Sequence, residues 1–402
     1  MKISSTAYLT YCTNIHPGEH WVEVWESLKT YTLPLKARLS PDKDFGIGLR
    51  LSNTASKEIL EGNQLAEFKA WLDEHGLYVF TLNGFPYGGF HRTHVKDDVH
   101  KPDWTTDDRL AYTSRIFDIL SYLLPAGMEG GISTSPLSYR HWFEGDNEGM
   151  EKAWEAGILN YAKLALHLDQ IYQEKGQILH LDIEPEPDGF LENTEEVVAF
   201  YKDRLLPIAG KFIQEQTELD QREAEELIRK YIQICYDVCH FAVVYEEPAD
   251  TFERWKAEGI RIGKVQISAA LKAEFPQNPQ DRTGIVQDFT ALNESTYLHQ
   301  VVARKSDGSL DHFNDLPEAL PLILDEDMAE WRTHFHVPLF IDKYDHLQST
   351  RSSIEKVLAY EGYVSDHWEV ETYTWEVLPE AIRIDLGTSI ERELKWVMDN
   401  WK

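Results

Sequence analysis

Short β-type runs and long amphipathic helical patterns alternate along this chain from its first residues to its last, and few folds accept such an order. The β-type runs fall at residues 6–12, 45–51, 77–83, 130–135, 178–184, 232–238, 264–268 and 370–375. Helical patterns occupy 19–30, 57–75, 106–124, 148–174, 194–214, 251–258, 351–360 and 392–400. Leu65, Phe68 and Leu72 fall on one helix face, as do Ile116, Leu120 and Leu123. Gly76 and Gly176, each just past a helical run, read as C-terminal stops. Strands separated by helices pair in parallel through right-handed crossovers. Eight such units predict an α/β fold, the (β/α)8 TIM barrel. The rival, a doubly wound open sheet for dinucleotide binding, lacks a G-x-G-x-x-G after the first strand.

A barrel of this kind takes roughly 250 residues, and the chain has 402. The surplus lies mainly in two stretches, 84–105 after the third strand and 269–332 after the seventh. Long loops inside a compact domain are usually functional. The second contains HQVVARKSDGSLDHF, whose Asp307-Gly308 signals a hairpin. The expectation is a single barrel domain over 1–402, with 269–332 as an insertion and a separate domain as the weaker option.

Charge narrows the partners. Acidic residues number 69 against 39 basic ones, a net charge of −30, and an acidic surface repels a phosphate backbone. Nucleic acid is therefore not expected as a partner. Three cysteines cannot frame a disulfide scaffold, and no charged-then-apolar leader is visible. No apolar stretch approaches the roughly 18 residues that span a bilayer. A cytoplasmic protein without a direct membrane span is the expectation.

In a barrel, reactive side chains gather at the C-terminal strand ends and in the loops that follow. The fifth run ends in Glu184 (LDIEPEPDG), and the sixth reaches Asp237 and His240 (CYDVCHF). The seventh carries Gln266 (KVQIS) and the eighth Glu371 (EVETYTW). Three carboxylates converging in a dry mouth would either protonate or hold a cation. Oxygen-rich ligands with imidazole suit Mn²⁺, Mg²⁺ or Zn²⁺. His334 and His336 form a His-x-His in RTHFHVPLF, which on a strand points both rings to one face. His16, Asn83, Ser135 and Glu186 follow or end strands and are candidates for substrate contact. His91, His94 and His100 lie in the long third loop, a candidate lid, without the spacing of a helix-borne metal site. Arg282 and Lys343 are the cations considered for phosphate, with no supporting motif.

CYDVCHF resembles the sixth-strand Asp-x-x-His signature of the xylose-isomerase-like barrels, which include sugar isomerases, epimerases and endonuclease IV-type enzymes. A wider set, LTYCTNIHPGE, TLNGFPYGGFH, STSPLSYRHW, LDIEPEPDG, RTHFHVPLF and ETYTWEVLP, spans nearly the whole chain and resembles the EboE metabolite-traffic proteins. The superfamily resemblance implies that Glu184, Asp237 and Glu371 bind the principal divalent metal, with Gln266 where the fourth ligand is commonly His. It also implies a second site at His240, His334 and His336, with His334 in place of an expected Asp. Asn83, Ser133 and Ser135 stand where the endonuclease branch has further histidines, so a three-metal centre is not expected.

Three functions follow. The first is a metal-dependent isomerase or epimerase of a small metabolite, with Glu184 and Glu371 moving a proton between carbons. The second, favoured by the EboE resemblance, is a non-catalytic protein that binds a metabolite and hands it to other proteins of the same gene cluster. The third is a metal-dependent phosphoester hydrolase.

Overall fold

The computed structural model describes residues 1–402 apart from 90, 92–94, 294–295 and 378–383. Its main sheet has eight parallel strands: Tyr8–Tyr11, Phe45–Arg50, Leu77–Asn83, Gly130–Thr134, Leu179–Ile183, Ile232–Asp237, Ile262–Ile267 and His367–Val370. The eighth strand lies between the first and the seventh, and the rest follow in sequence order to the second. Helices cover the outside, and the result is the expected (β/α)8 barrel. The first and second strands close the ring with few backbone bonds. Cys12 bridges Gly48, and the Thr10 hydroxyl donates to Gly46 O at 2.8 Å while accepting from Gly48 N at 3.0 Å. Thr13 Oγ1 accepts from Arg50 N at 2.8 Å.

Side chains of a strand alternate between faces, so residues two apart share the barrel interior. The inward columns are polar: His180, Asp182 and Glu184 on the fifth strand and its end, and Cys235 and Asp237 on the sixth. Lys264 and Gln266 on the seventh and His367, Glu369 and Glu371 on or just past the eighth continue them. Lys264 and Glu369 are fully buried and ion-paired, and His180 Nδ1 lies 2.6 Å from Asp182 Oδ1. Burial alone would lower Lys264, but Glu369, Cys235 and Cys12 hold it above its ordinary value. Glycine makes the room: a Cβ at Gly48 would overlap Glu369, and one at Gly263 would overlap Asp182.

The sequence pattern places the eighth strand at 370–375. The strand is instead His367–Val370, and Tyr373–Val377 is a 3-10 helix. His367 and Glu369 point into the barrel, so the true strand reads as polar. The alternating ETYTW passes over the mouth. Gly76 (φ 61°) and Gly176 (φ 69°) end helices Gln64–His75 and Asn147–Lys175 in the left-handed region, which costs glycine little. Helix Gln221–Tyr231 was not expected, although Asp220 and Glu223 close a capping box at its start.

After the seventh strand the chain builds a second, antiparallel sheet of six strands. These are Leu271–Glu274, Val301–Lys305, Leu310–Phe313, Met328–Thr333, Lys343–Tyr344 and Leu347–Ser349. The second and third form the hairpin, turning at Gly308 (φ 88°). Arg282, considered for phosphate, is buried within this unit and donates to the carbonyls of Pro276, Ile323, Asp325 and Met328. Arg109 does the same for the third loop, holding Pro102 O at 2.7 Å, Gly84 O at 2.9 Å and Phe85 O at 3.0 Å. Among the described residues, no helix is long and apolar enough to cross a membrane.

Candidate functional site

The C-terminal mouth of the barrel brings Glu184, Asp237 and Glu371 together: each offers a carboxylate oxygen, and these lie within 4.8 Å of one another. Glu184 follows the fifth strand, Asp237 ends the sixth and caps the helix Val238–Val243, and Glu371 follows the eighth. All three are buried. Burial, then the Glu371 and Asp237 charges, pushes Glu184 well above the ordinary carboxylate range. Burial and Asp237 do the same to Glu371. Burial would raise Asp237 too, but His240, His336 and the Ser268 hydroxyl hold it below its usual value.

Glu371 is held by amides. Asn14 Nδ2 donates to Oε1 at 2.6 Å, Asn83 Nδ2 to the same oxygen at 3.0 Å, and Gln266 Nε2 to Oε2. The amide oxygen of Gln266 faces away from the carboxylates and accepts from the Cys235 thiol at 2.6 Å. Asp237 Oδ1 accepts from Ser268 Oγ at 2.6 Å and His240 N at 3.1 Å. Glu184 Oε2 and Asp237 Oδ2 are buried without a hydrogen-bond partner among the described residues.

Three imidazoles adjoin this cluster. His240 Nδ1 is 3.0 Å from Pro185 O, His334 Nδ1 is 2.9 Å from Gln300 Oε1, and His336 Nδ1 is 3.0 Å from Glu371 O. Gln300 Nε2 donates to Pro187 O at 3.1 Å, which fixes its oxygen toward His334. With each Nδ1–H engaged by an oxygen, Nε2 is the atom each ring has left to offer a proton or a ligand. The Nε2 atoms of His240 and His334 lie 3.1 Å apart, close enough to share a proton or to meet one cation. His336 Nε2 is buried without a hydrogen-bond partner among the described residues. Burial, reinforced by the neighbouring rings, drives His334 well below its ordinary pKa, and burial takes His336 to about 4. Asp237, His240 and His336 form one group of close ligand atoms, and Glu186, His240 and His334 another. The His-x-His pair was expected on a strand; it lies just beyond Met328–Thr333, the inserted strand that delivers it over the mouth.

A cavity of about 60 Å³ is lined by Glu184, Glu186, His240, His334 and Glu371, with Asn14, Asn83 and Gln300. Residues of the third loop and of the insertion, among them Phe85, His100 and Tyr297, complete its wall. His16 lies elsewhere, stacked on Tyr31 at 4.4 Å with Nε2 3.1 Å from Tyr11 OH. Ser135 is buried and does not line the cavity. His91 Nε2 meets Asn14 O at 2.5 Å, and His94 lies outside the described residues. Asn14, Gln300 and the pairing of His100 with Glu186 escaped the sequence reading. Asn14 sits after the first strand, where the same strand-end filter would have reached it. Gln300 lies in the insertion and carries no such signal.

No family model matches the chain, and no curated protein matches it. Among solved structures it is similar to the apo form of the 3-keto-D-glucoside 4-epimerase YcjR from E. coli, at 15% identity over 98% of this chain and 99% of that one, with a TM-score of 0.43. It is also similar to the IolI protein with a binding zinc atom, at 12% identity, over 98% and 97%, with a TM-score of 0.46. A xylose isomerase domain protein from Alicyclobacillus acidocaldarius matches at 11% identity, over 65% and 73%, with a TM-score of 0.37. Likenesses this faint leave the chemistry to be read from the side chains.

Proposed function

We propose that this chain is a metal-dependent enzyme that isomerises or epimerises a small polyhydroxylated or carbonyl-bearing metabolite at the barrel mouth. The observation that carries the reading is the donor set: three carboxylates brought together, two with oxygens that lack a partner among the described residues, beside His240, whose ligand atoms group with those of Asp237 and His336 on one side and of Glu186 and His334 on the other. Glu184, Asp237 and Glu371 would hold one divalent ion, and His240, His334 and His336 a second. Carboxylates suit Mn²⁺ or Mg²⁺ and imidazoles suit Zn²⁺. Such an ion, when bound, polarises neighbouring hydroxyl and carbonyl oxygens.

The remaining roles belong to the chain itself. Glu184 is the proton carrier, because an oxygen without a partner among the described residues and a place on the cavity wall suit a group that takes and returns a proton. Glu371, pinned by three amides, is its stationary partner. Gln266, expected as a fourth metal ligand, serves in this reading to position Glu371 through its amide nitrogen. Asn83 and Glu186 stand on the wall where a substrate hydroxyl would be met. The cavity of about 60 Å³ is small beside the roughly 300–1,000 Å³ of small-molecule pockets, which favours a small metabolite. The second reading is retention and handover of a metabolite held in this cavity. The EboE resemblance supports a place in secondary-metabolite traffic with partners from the same gene cluster.

The test is incubation of Mn²⁺- or Zn²⁺-loaded protein with a panel of aldoses, ketoses and keto-polyols. The expected result is interconversion of one pair, at least about 100-fold slower in Glu184→Gln and abolished by chelation. A loaded protein that retains a ligand without turnover supports handover. One inert to the whole panel contradicts both.

A further inference from the structure

One contact at the mouth joins the third loop to the fifth strand's carboxylates. The 3-10 helix Lys96–His100 of that loop ends in His100, which is 1% exposed and packed among Phe85, Tyr139 and Trp142 with ring centroids 5.5, 5.1 and 6.1 Å away. Its Nε2 lies 3.0 Å from Glu186 Oε1, an ion-pair distance, and that oxygen takes no hydrogen bond among the described residues. Glu186 is itself 6% exposed, and one of its oxygens lies within 4.8 Å of ligand nitrogens on His240 and His334. The same short helix reaches the histidines by a second route. Lys96 Nζ pairs with Asp315 Oδ2 at 2.6 Å, Asp315 Oδ1 accepts from His299 N at 3.0 Å, and His299 Nδ1 lies 3.1 Å from His334 O.

We propose that His100 is a positioning residue for the histidine site: it holds the Glu186 carboxylate against His240 and His334, so that the site has its carboxylate only while the third loop is seated. This rests on the metal reading above and extends it to a residue outside every strand end. A group that orients a ligating carboxylate acts on affinity through that carboxylate, and loss of such a partner typically costs about 10–100-fold in metal binding. The arrangement ties loop position to the strength of the site.

Co²⁺ alone is the probe, because its visible absorption reports ligation without turnover. The band of the histidine site is identified by its loss in His336→Ala. His100→Phe keeps the ring packing and removes the nitrogen. It is expected to weaken that site about 10–100-fold, Glu186→Gln to match it, and the double variant to add nothing. His100→Gln, which keeps a polar nitrogen within reach of Glu186, is expected to recover part of the loss. Circular dichroism confirms that each variant is folded, and a misfolded His100→Phe leaves the decision to Glu186→Gln and His100→Gln. Co²⁺ affinity within about twofold of wild type in Glu186→Gln and in whichever His100 variant folds would overturn the proposal. A wild-type chain that binds no Co²⁺ would overturn the metal reading itself, a separate and recognisable failure.

Discussion

The interior of the barrel and its mouth both bury charge, and they handle it in opposite ways. Inside, each acid faces a base: Glu369 meets Lys264, and Asp182 meets His180. At the mouth, one inward step along the same strands, Glu184, Asp237 and Glu371 face one another. Among the described residues only histidine makes an ion-pair contact with Glu184 or Asp237. A buried charge is tolerated when matched by an opposite one and costs several kcal/mol when left alone, about 3–5 kcal/mol when a partner is stripped away. The interior pattern is what structure alone requires. The mouth pattern makes sense as a site completed by something that is not protein.

Removing one interior partner should produce the largest effect. Lys264→Met leaves Glu369 unpaired at full burial, and chemical denaturation is expected to show a loss of about 3–5 kcal/mol, much of it recovered in Lys264→Met/Glu369→Gln. Glu184→Gln at the mouth is expected to be neutral or stabilising in metal-free protein, because it replaces a carboxyl whose charged form is already disfavoured by burial and by Glu371 and Asp237. A mouth variant as destabilising as the interior one would erase the distinction.

Glu393 is an intermediate case, a buried acid with hydrogen bonds but, among the described residues, no ion-paired base. It accepts from Thr372 Oγ1 at 2.7 Å and Leu339 N at 3.3 Å, and burial still raises it from 4.5 to about 7. A carboxyl whose folded pKa exceeds its unfolded one binds the proton more tightly when folded. Its contribution is therefore complete below pH 4.5 and is lost as pH rises through about 7. A shift from 4.5 to about 7 is worth on the order of 3 kcal/mol. Denaturation of wild type and Glu393→Gln across this range should show the wild-type slope flattened in the variant; parallel curves would contradict it.

Mn²⁺ or Zn²⁺ at about 100 times its dissociation constant should stabilise the wild type by about 2.7 kcal/mol and leave Asp237→Asn nearly unmoved. Equal thermal shifts in both would place the ion elsewhere.

Much of this organisation was legible because barrels repeat a simple rule. Alternation of strand and helix predicted the fold, and the strand-end filter reached Glu184, Asp237 and Glu371 because each lies at or just past a strand's C-terminal end. The eighth strand was displaced because His367 and Glu369 are polar yet buried, which no hydrophobic pattern can show. The partners that tune the site were hidden by distance: Asn14 reaches Glu371 across 357 positions and Gln300 reaches His334 across 34. His100 was visible only as a loop histidine, since nothing in its spacing predicts that the loop folds back onto Glu186.

The central claim, that the mouth is a metal site, is tested most directly by anomalous diffraction from crystals grown with Mn²⁺ and with Zn²⁺. The account predicts a peak among Glu184, Asp237 and Glu371 and another against the Nε2 atoms of His240, His334 and His336. A mouth with no anomalous peak under either metal, the carboxylates still converging and the two Nε2 atoms of His240 and His334 still in contact, would contradict it.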